Sequence, residues 1–202
     1  MLSFSNIKDY LHFYCAPCLL GFKCANLFCA PCYLCEELLE QQAGLASAEF
    51  KINDRILCLE ILYVLKGKAC MIVYSKEEIE KLLRIEEVQD ALLFFGHKDN
   101  FNIKCKVECK NNCNVRNIFE KLKDFALSNT SLKETKERVS FPHEIGLLLG
   151  YPPQDVVQYY INSGKRYLFS GYWKVYTNPE WATSQFKKYD EARAYCIRNR
   201  VI

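Results

Sequence analysis

Twelve cysteines in 202 residues are the feature of this chain best able to do chemistry. Most of that density lies at the front. Cys15 and Cys18 bound one Cys-Ala-Pro-Cys tetrapeptide, Cys29 and Cys32 bound a second, Cys24 lies between them, and Cys35 follows Cys32 at an interval of three. A two-residue gap lets two sulfurs reach one ion, so the two pairs could make a four-thiolate zinc site. The stretch Leu19 to Phe28 is short for that, and Pro17 and Pro31 would sit inside the knuckles. Cys29, Cys32 and Cys35 also start as ferredoxin-type runs do. The downstream cysteine followed by proline is missing, so Cys15, Cys18 or Cys24 would have to replace it. Cys15, Cys18, Cys29, Cys32 and Cys35 are therefore candidate ligands for zinc or an iron–sulfur cluster. Two competing readings use the same residues. A strand at Asn26 to Phe28, then Cys29 to Cys32, then a helix from Tyr33 would imitate the thioredoxin layout. The helix N-terminus there lowers the pKa of the first thiol. Against it, no isolated proline precedes a late strand. The plainest reading is that the thiols pack as small hydrophobes.

Other constellations are weaker. Cys105, Cys109 and Cys113 lie at intervals of four, which shares a helical face, but lysines and asparagines surround them. His143-Glu144 begins like a metalloprotease helix. Position 147 is Leu, so the second histidine is absent and that reading is rejected. Glu144 in a first helical turn suits the dipole, and the His143–Glu144 pair could also line a pocket. Tyr172, Trp173 and Lys174 could set an aromatic ring and a cation in a ligand groove, or divide between two faces of a strand. Lys23 and Asn26 interrupt an apolar block and face either a site or solvent. Glycine-rich phosphate loops, serine nucleophile motifs and dinucleotide fingerprints are missing from the sequence.

The elements that must position these residues follow from periodicity and punctuation. Helices are predicted at 7–14, 33–46, 76–84, a second one ending near Gly96, 115–127, from Pro142 to Gly150, from Pro152 to Gly164, and from Pro179 to about Cys196. Val156, Val157, Tyr160 and Ile161 are predicted to face inward. Ser75 and Glu78 form a capping box. The runs 56–65 and 69–74, joined by Lys66-Gly67-Lys68, read as a hairpin, and 167–176 reads as a strand. Residues 128–140 read as an exposed connection. The expected class is α+β, a small mixed or antiparallel sheet flanked by several helices. The chain reads as one domain over 1–202, with a cysteine-rich segment at 15–35 and a motif-bearing part at 141–198.

Half of the residues are hydrophobic and a quarter charged, which supports a core and excludes a disordered chain. The 27 basic and 24 acidic residues leave a net charge of +3, so neither nucleic acid nor membrane is an expected partner. No secretion signal is visible, and the apolar run Ile56 to Leu65 contains Glu60 and is too short to span a bilayer. A cytoplasmic location is expected, where cysteines remain thiols. Composition leaves it open whether the chain is an enzyme.

Three blocks carry a resemblance. They are Phe141-Pro142-His143-Glu144-Ile145-Gly146-Leu147-Leu148-Leu149-Gly150-Tyr151-Pro152, Gly171-Tyr172-Trp173-Lys174-Val175-Tyr176, and Cys15-Ala16-Pro17 leading into Gly21-Phe22-Lys23-Cys24-Ala25-Asn26-Leu27-Phe28. Over roughly Tyr10 to Tyr195 the chain resembles a bacterial family known as domain of unknown function 3793, found mainly in anaerobic Gram-positive organisms. The resemblance implies a one-domain cytoplasmic protein and no particular activity. It also implies that Cys15 belongs to the family pattern while Cys18, Cys29, Cys32 and Cys35 do not. A metal site on those four would then be peculiar to this chain.

Overall fold

The computed structural model describes residues 6–34, 47–52, 54–96, 109–128 and 140–201. Among them the architecture is α+β, with eight α-helices, a four-stranded antiparallel sheet and a two-stranded one. Two compact units divide the chain, Met1–Ile79 with Glu180–Ile202, and Glu80–Pro179.

The first unit begins with α1 (Ile7–Tyr14), capped by the Asn6 side chain, which accepts from the Asp9 amide at 3.0 Å. Next come α2 (Ala16–Leu19), β1 (Ala25–Pro31), a 3-10 turn (Cys32–Leu34), β2 (Ser47–Ile52), β3 (Arg55–Leu65) and β4 (Lys68–Tyr74). The sheet order is β1-β4-β3-β2. The predicted β3–β4 hairpin forms, and its turn shows why. Lys66 and Gly67 have φ of 49° and 73°, and positive φ at both central residues matches the right-handed twist of the strands. Glycine adopts this conformation at little cost.

Helix α3 (Lys76–Leu82) follows, with the Glu78 amide on Ser75 Oγ at 3.3 Å, one arm of the expected capping box. The last helix, α8 (Pro179–Asn199), begins with the predicted proline. One face of the sheet carries Phe28, Ala30, Leu57, Leu59, Ala69, Met71 and Val73. They pack with Leu11, Cys15, Ala16, Cys18 and Leu19 from the front helices and Ala192 and Cys196 from α8.

The second unit holds α4 (Glu86–Phe94), α5 (Cys109–Ser128), α6 (Ile145–Leu148), α7 (Pro153–Ile161), β5 (Phe169–Ser170) and β6 (Lys174–Val175). Helix α7 packs on α4, α6 and β6, and α6 packs on α5. The predicted stripe of α5 is buried at Ile118, Phe119, Leu122 and Ala126. That helix starts earlier than predicted, because its first turns are polar and carry no apolar period. The strand expected over 167–176 is instead a tight hairpin of two-residue strands, closed by the Gly171 amide on the Trp173 carbonyl at 3.0 Å. Helix α7 also turns differently from the prediction. Val156 is buried, but Tyr160 and Ile161 are 49% and 57% exposed, because Asp155 takes an inward position. The helix predicted over 33–46 and the connection at 128–140 fall almost wholly outside the described residues.

Gly146 marks a close approach in this unit. A Cβ there would stand 3.0 Å from Val156 Cγ2 and 3.3 Å from Tyr151 Cδ2. Gly146→Ala is therefore expected to lose about 1–3 kcal/mol through overpacking. Urea unfolding checks this, through a lower midpoint at an unchanged slope.

Candidate functional site

The structure divides the front cysteines between the two faces of the sheet. Cys15 and Cys18 flank and enter α2, and both are fully buried in the apolar core. The Cys18 thiol lies 3.7 Å from the carbonyls of Cys24 and Val73. The Arg55 guanidinium donates to the carbonyl of Cys18 at 2.7 Å and reaches that of Leu19 at 3.4 Å, satisfying open carbonyls at the end of α2. Burial pushes the Cys18 thiol up to about 12 and the Cys24 thiol to about 11, and raises Cys15 well above the ordinary thiol value. These are protonated packing groups.

Cys29 lies between Phe28 and Ala30 on β1, so strand alternation sends its side chain to the opposite face. Cys32 starts the 3-10 turn and is half-buried. Cys35 and Cys105 fall outside the described residues, and Cys109 and Cys113 fall in the first turns of α5. Among the described residues no group of three or more histidine, cysteine or acidic side chains is placed to hold a metal ion. Of the predicted set Cys15, Cys18, Cys29, Cys32 and Cys35, the structure therefore brings Cys15 and Cys18 together on the core side and does not bring Cys29 to them. The reason is the two-residue period of β1, which the doubled tetrapeptide conceals. The thioredoxin layout is corrected too: β1 runs on through Pro31, so Cys29 is in mid-strand and not at a helix N-terminus.

Lys23 and Asn26 do not face solvent, being only 5% and 8% exposed. Lys23 sits among the thiols of Cys15, Cys18 and Cys24, with its ammonium 5.7 Å from the Tyr189 ring centre. Burial lowers its pKa to about 8, although the neighbouring thiols oppose the shift.

In the second unit the two motif blocks meet. Tyr151 stacks on Trp173 with ring centres 5.3 Å apart. The Trp173 indole donates to Asp155 Oδ2 at 2.8 Å, and Asp155 Oδ1 accepts from the amides of Tyr176 (3.1 Å) and Thr177 (2.8 Å) and from the Thr177 hydroxyl (2.8 Å). Asp155 is 2% exposed and lies in the first turn of α7, where the helix dipole favours a carboxylate. Glu144 is buried and paired with Lys121 at 2.7 Å, so it braces α6 against α5. Lys174 donates to the Gly164 carbonyl at 2.7 Å, with its ammonium 4.7 Å from the Tyr167 ring centre and 5.5 Å from that of Tyr159. Tyr172 is half-buried on the hairpin turn.

His143 turns toward α7, with ring centres 5.4 Å and 5.5 Å from Tyr159 and Tyr160. With Ile161 and Ser163 these side chains line a hollow of about 530 Å³. Phe94 and Phe95 back Tyr160 edge-on at 5.7 Å and 5.5 Å, and Phe141 meets His143 at 5.3 Å. Burial lowers the His143 pKa, partly offset by Glu144, so the imidazole is neutral near pH 7. Sequence reasoning found His143 but missed Asp155, Tyr159 and Tyr160. The available signal was Pro152-Pro153-Gln154-Asp155, an acid just after a proline helix start.

Fold and site together define an α+β protein with an aromatic, imidazole-bearing hollow in one unit and thiols on both faces of the sheet in the other. Among the described residues no helix is long and apolar enough to cross a membrane. The chain matches, over residues 11–201, the family model described as a protein of unknown function, DUF3793, and it belongs to that family. No curated protein and no solved structure matches it.

Proposed function

We propose that this protein binds a small planar ligand, an N-heteroaromatic ring system, in the hollow lined by His143, Tyr159, Tyr160, Ile161 and Ser163. The observation that carries the reading is the convergence of an uncharged imidazole and two tyrosine rings on one open concavity, beside the contact between the two motif blocks. The volume falls in the range of small-molecule sites, and a mostly apolar wall with a few placed polar groups is the usual composition of such sites. The rings offer stacking, and neutral His143 offers a nitrogen that accepts from a ring N–H. Half of the Tyr160 surface remains open, so its ring is available to a ligand. Lys174, packed behind Tyr159, fixes that ring through its bond to Gly164.

Ligand-detected NMR on the full chain, with indole and purine fragments as probes, tests this. Tyr160→Ala is expected to weaken binding about three- to tenfold, the worth of one stacking contact. His143→Phe keeps the ring and removes the nitrogen, so it should lose a similar factor for N–H-bearing fragments only. Binding that both substitutions leave unchanged, or no binding by either fragment class, would sink the proposal.

A further inference from the structure

The face of the sheet opposite the apolar core carries a row of reactive side chains. Strand register sets Cys29 of β1 directly opposite Cys70 of β4, and Cys70 directly opposite Tyr63 of β3. Cys29 is exposed and Cys70 is buried. The pairing class follows from the ends of the ladder. The Ser75 amide donates to the Cys24 carbonyl and the Cys32 amide to the Gly67 carbonyl, both at 2.9 Å. Hydrogen-bonded pairs recur at every second residue, so Cys24/Ser75, Asn26/Val73, Phe28/Met71, Ala30/Ala69 and Cys32/Gly67 are the bonded pairs. Cys29/Cys70 falls between two of them. In a non-hydrogen-bonded antiparallel pair the Cα atoms stand about 4.5 Å apart and the side chains lean together. That spacing lies at the short end of the ~4.4–6.8 Å range a disulfide spans.

We infer that Cys29 and Cys70 form a redox-active dithiol that exchanges with low-molecular-weight disulfides and closes into a cross-strand disulfide. The surroundings favour this division of labour. Cys70 lies between Tyr63 and Cys29 in the register, so the Tyr63 hydroxyl and the Cys29 thiol both act on its sulfur. The Cys70 contact, helped by the charge of Lys68, lowers the Cys29 pKa to about 6, while the Cys70 pKa is raised. The exposed thiolate attacks one sulfur of R–S–S–R. The S–S bond breaks, and RS⁻ leaves and takes a proton from water. Cys70 then gives up its proton and attacks the Cys29 sulfur of the mixed disulfide. The second RS⁻ departs and is protonated. Two cysteine thiols are oxidised to one disulfide, and one R–S–S–R is reduced to two RSH. This site is independent of the aromatic hollow.

The test uses the reduced full chain with oxidised glutathione as the probe at pH 7, followed by alkylation and peptide mapping by mass spectrometry. Wild type is expected to yield a Cys29–Cys70 linkage lacking two hydrogens, while Cys15, Cys18 and Cys24 stay reduced. Cys70→Ala should stop at a lasting glutathione adduct on Cys29. Iodoacetamide kinetics on the unmutated chain give a second measure that needs no variant. At pH 5.5 Cys29 is expected to react roughly tenfold or more faster than in the urea-unfolded chain, because its thiolate persists in the fold at a pH where an ordinary thiol is protonated. A linkage of Cys29 to Cys32 or Cys35, no linkage at all, or a Cys29 no faster than in the unfolded chain would overturn the inference.

Discussion

Asp155→Ala is expected to remove about 4–5 kcal/mol of stability from the unit Glu80–Pro179, the largest single-residue effect we expect in this protein. Four donors converge on this carboxylate: the Trp173 indole, the amides of Tyr176 and Thr177, and the Thr177 hydroxyl. A hydrogen bond to a charged group contributes about 1.5–3 kcal/mol, and such bonds in one network do not add fully. Truncation also strands donors packed around a group that is only 2% exposed. Asp155→Asn separates the contributions. Its carbonyl oxygen can serve the three donors on Oδ1, but its amide then faces the Trp173 N–H, donor against donor, so a loss of about 2–3 kcal/mol is expected. Trp173 reports the event directly if Trp181, the other tryptophan, is replaced by Phe. Urea unfolding followed by indole emission should place alanine below asparagine and asparagine below wild type. A loss under about 1 kcal/mol for alanine would refute the staple.

The second large effect is a loss of stability on raising the pH from 7 to 10. Cys15, Cys18, Cys24 and Cys196 are raised from the ordinary 9.0 by burial, to about 12 for Cys18 and about 11 for Cys24 and Cys196. A thiol raised in the fold contributes stability that is complete below pH 9. The contribution drains away as pH climbs toward the folded value, because the unfolded chain ionises first. At pH 10 each thiol has forfeited about 1.4 kcal/mol, or about 5–6 kcal/mol for the four.

Lys23 works in the opposite sense. Its pKa is lowered from 10.5 to about 8, so its burial penalty is full below pH 8 and gone above 10.5. Between pH 7 and 10 this returns about 2–3 kcal/mol, and the balance of these five buried groups is a loss of about 3 kcal/mol. Lys23→Met removes the return and should steepen the loss to about 5–6 kcal/mol. Urea melts at the two pH values under reducing conditions measure both. A stability that holds to pH 10, or a Lys23→Met profile no steeper than wild type, would contradict the linkage.

How far the residues announced these features depends on the range of the signal. Local punctuation carried well. Lys66-Gly67 set a turn, Ser75 and Pro179 set helix starts, and the period of Ile118, Phe119, Leu122 and Ala126 set a buried stripe, because each is decided within one turn or one hairpin. Strand β2 and the pairing of Cys29 with Cys70 were not legible, since register links residues far apart in the chain. The doubled tetrapeptide misled for a physical reason. Equal spacing in sequence means opposite things in α2, where Cys18 turns into the core, and in β1, where alternation turns Cys29 away from it. Tyr160 was assigned inward on helical period alone. Asp155 took the inward place because four donors await it there.

The arrangement of the first unit has a consequence for how the polypeptide is made. Its sheet is finished by Tyr74, but Ala192 and Cys196 of the last helix belong to the same apolar cluster as Leu11 and Cys18. The polypeptide leaves this unit at Ile79 and rejoins it at Glu180. A ribosome adding about 5–20 residues each second spends some 5–20 seconds on the intervening segment. Throughout that interval the sheet lacks part of its lid. The nascent chain must guard the greasy face of an unfinished sheet until its final helix emerges.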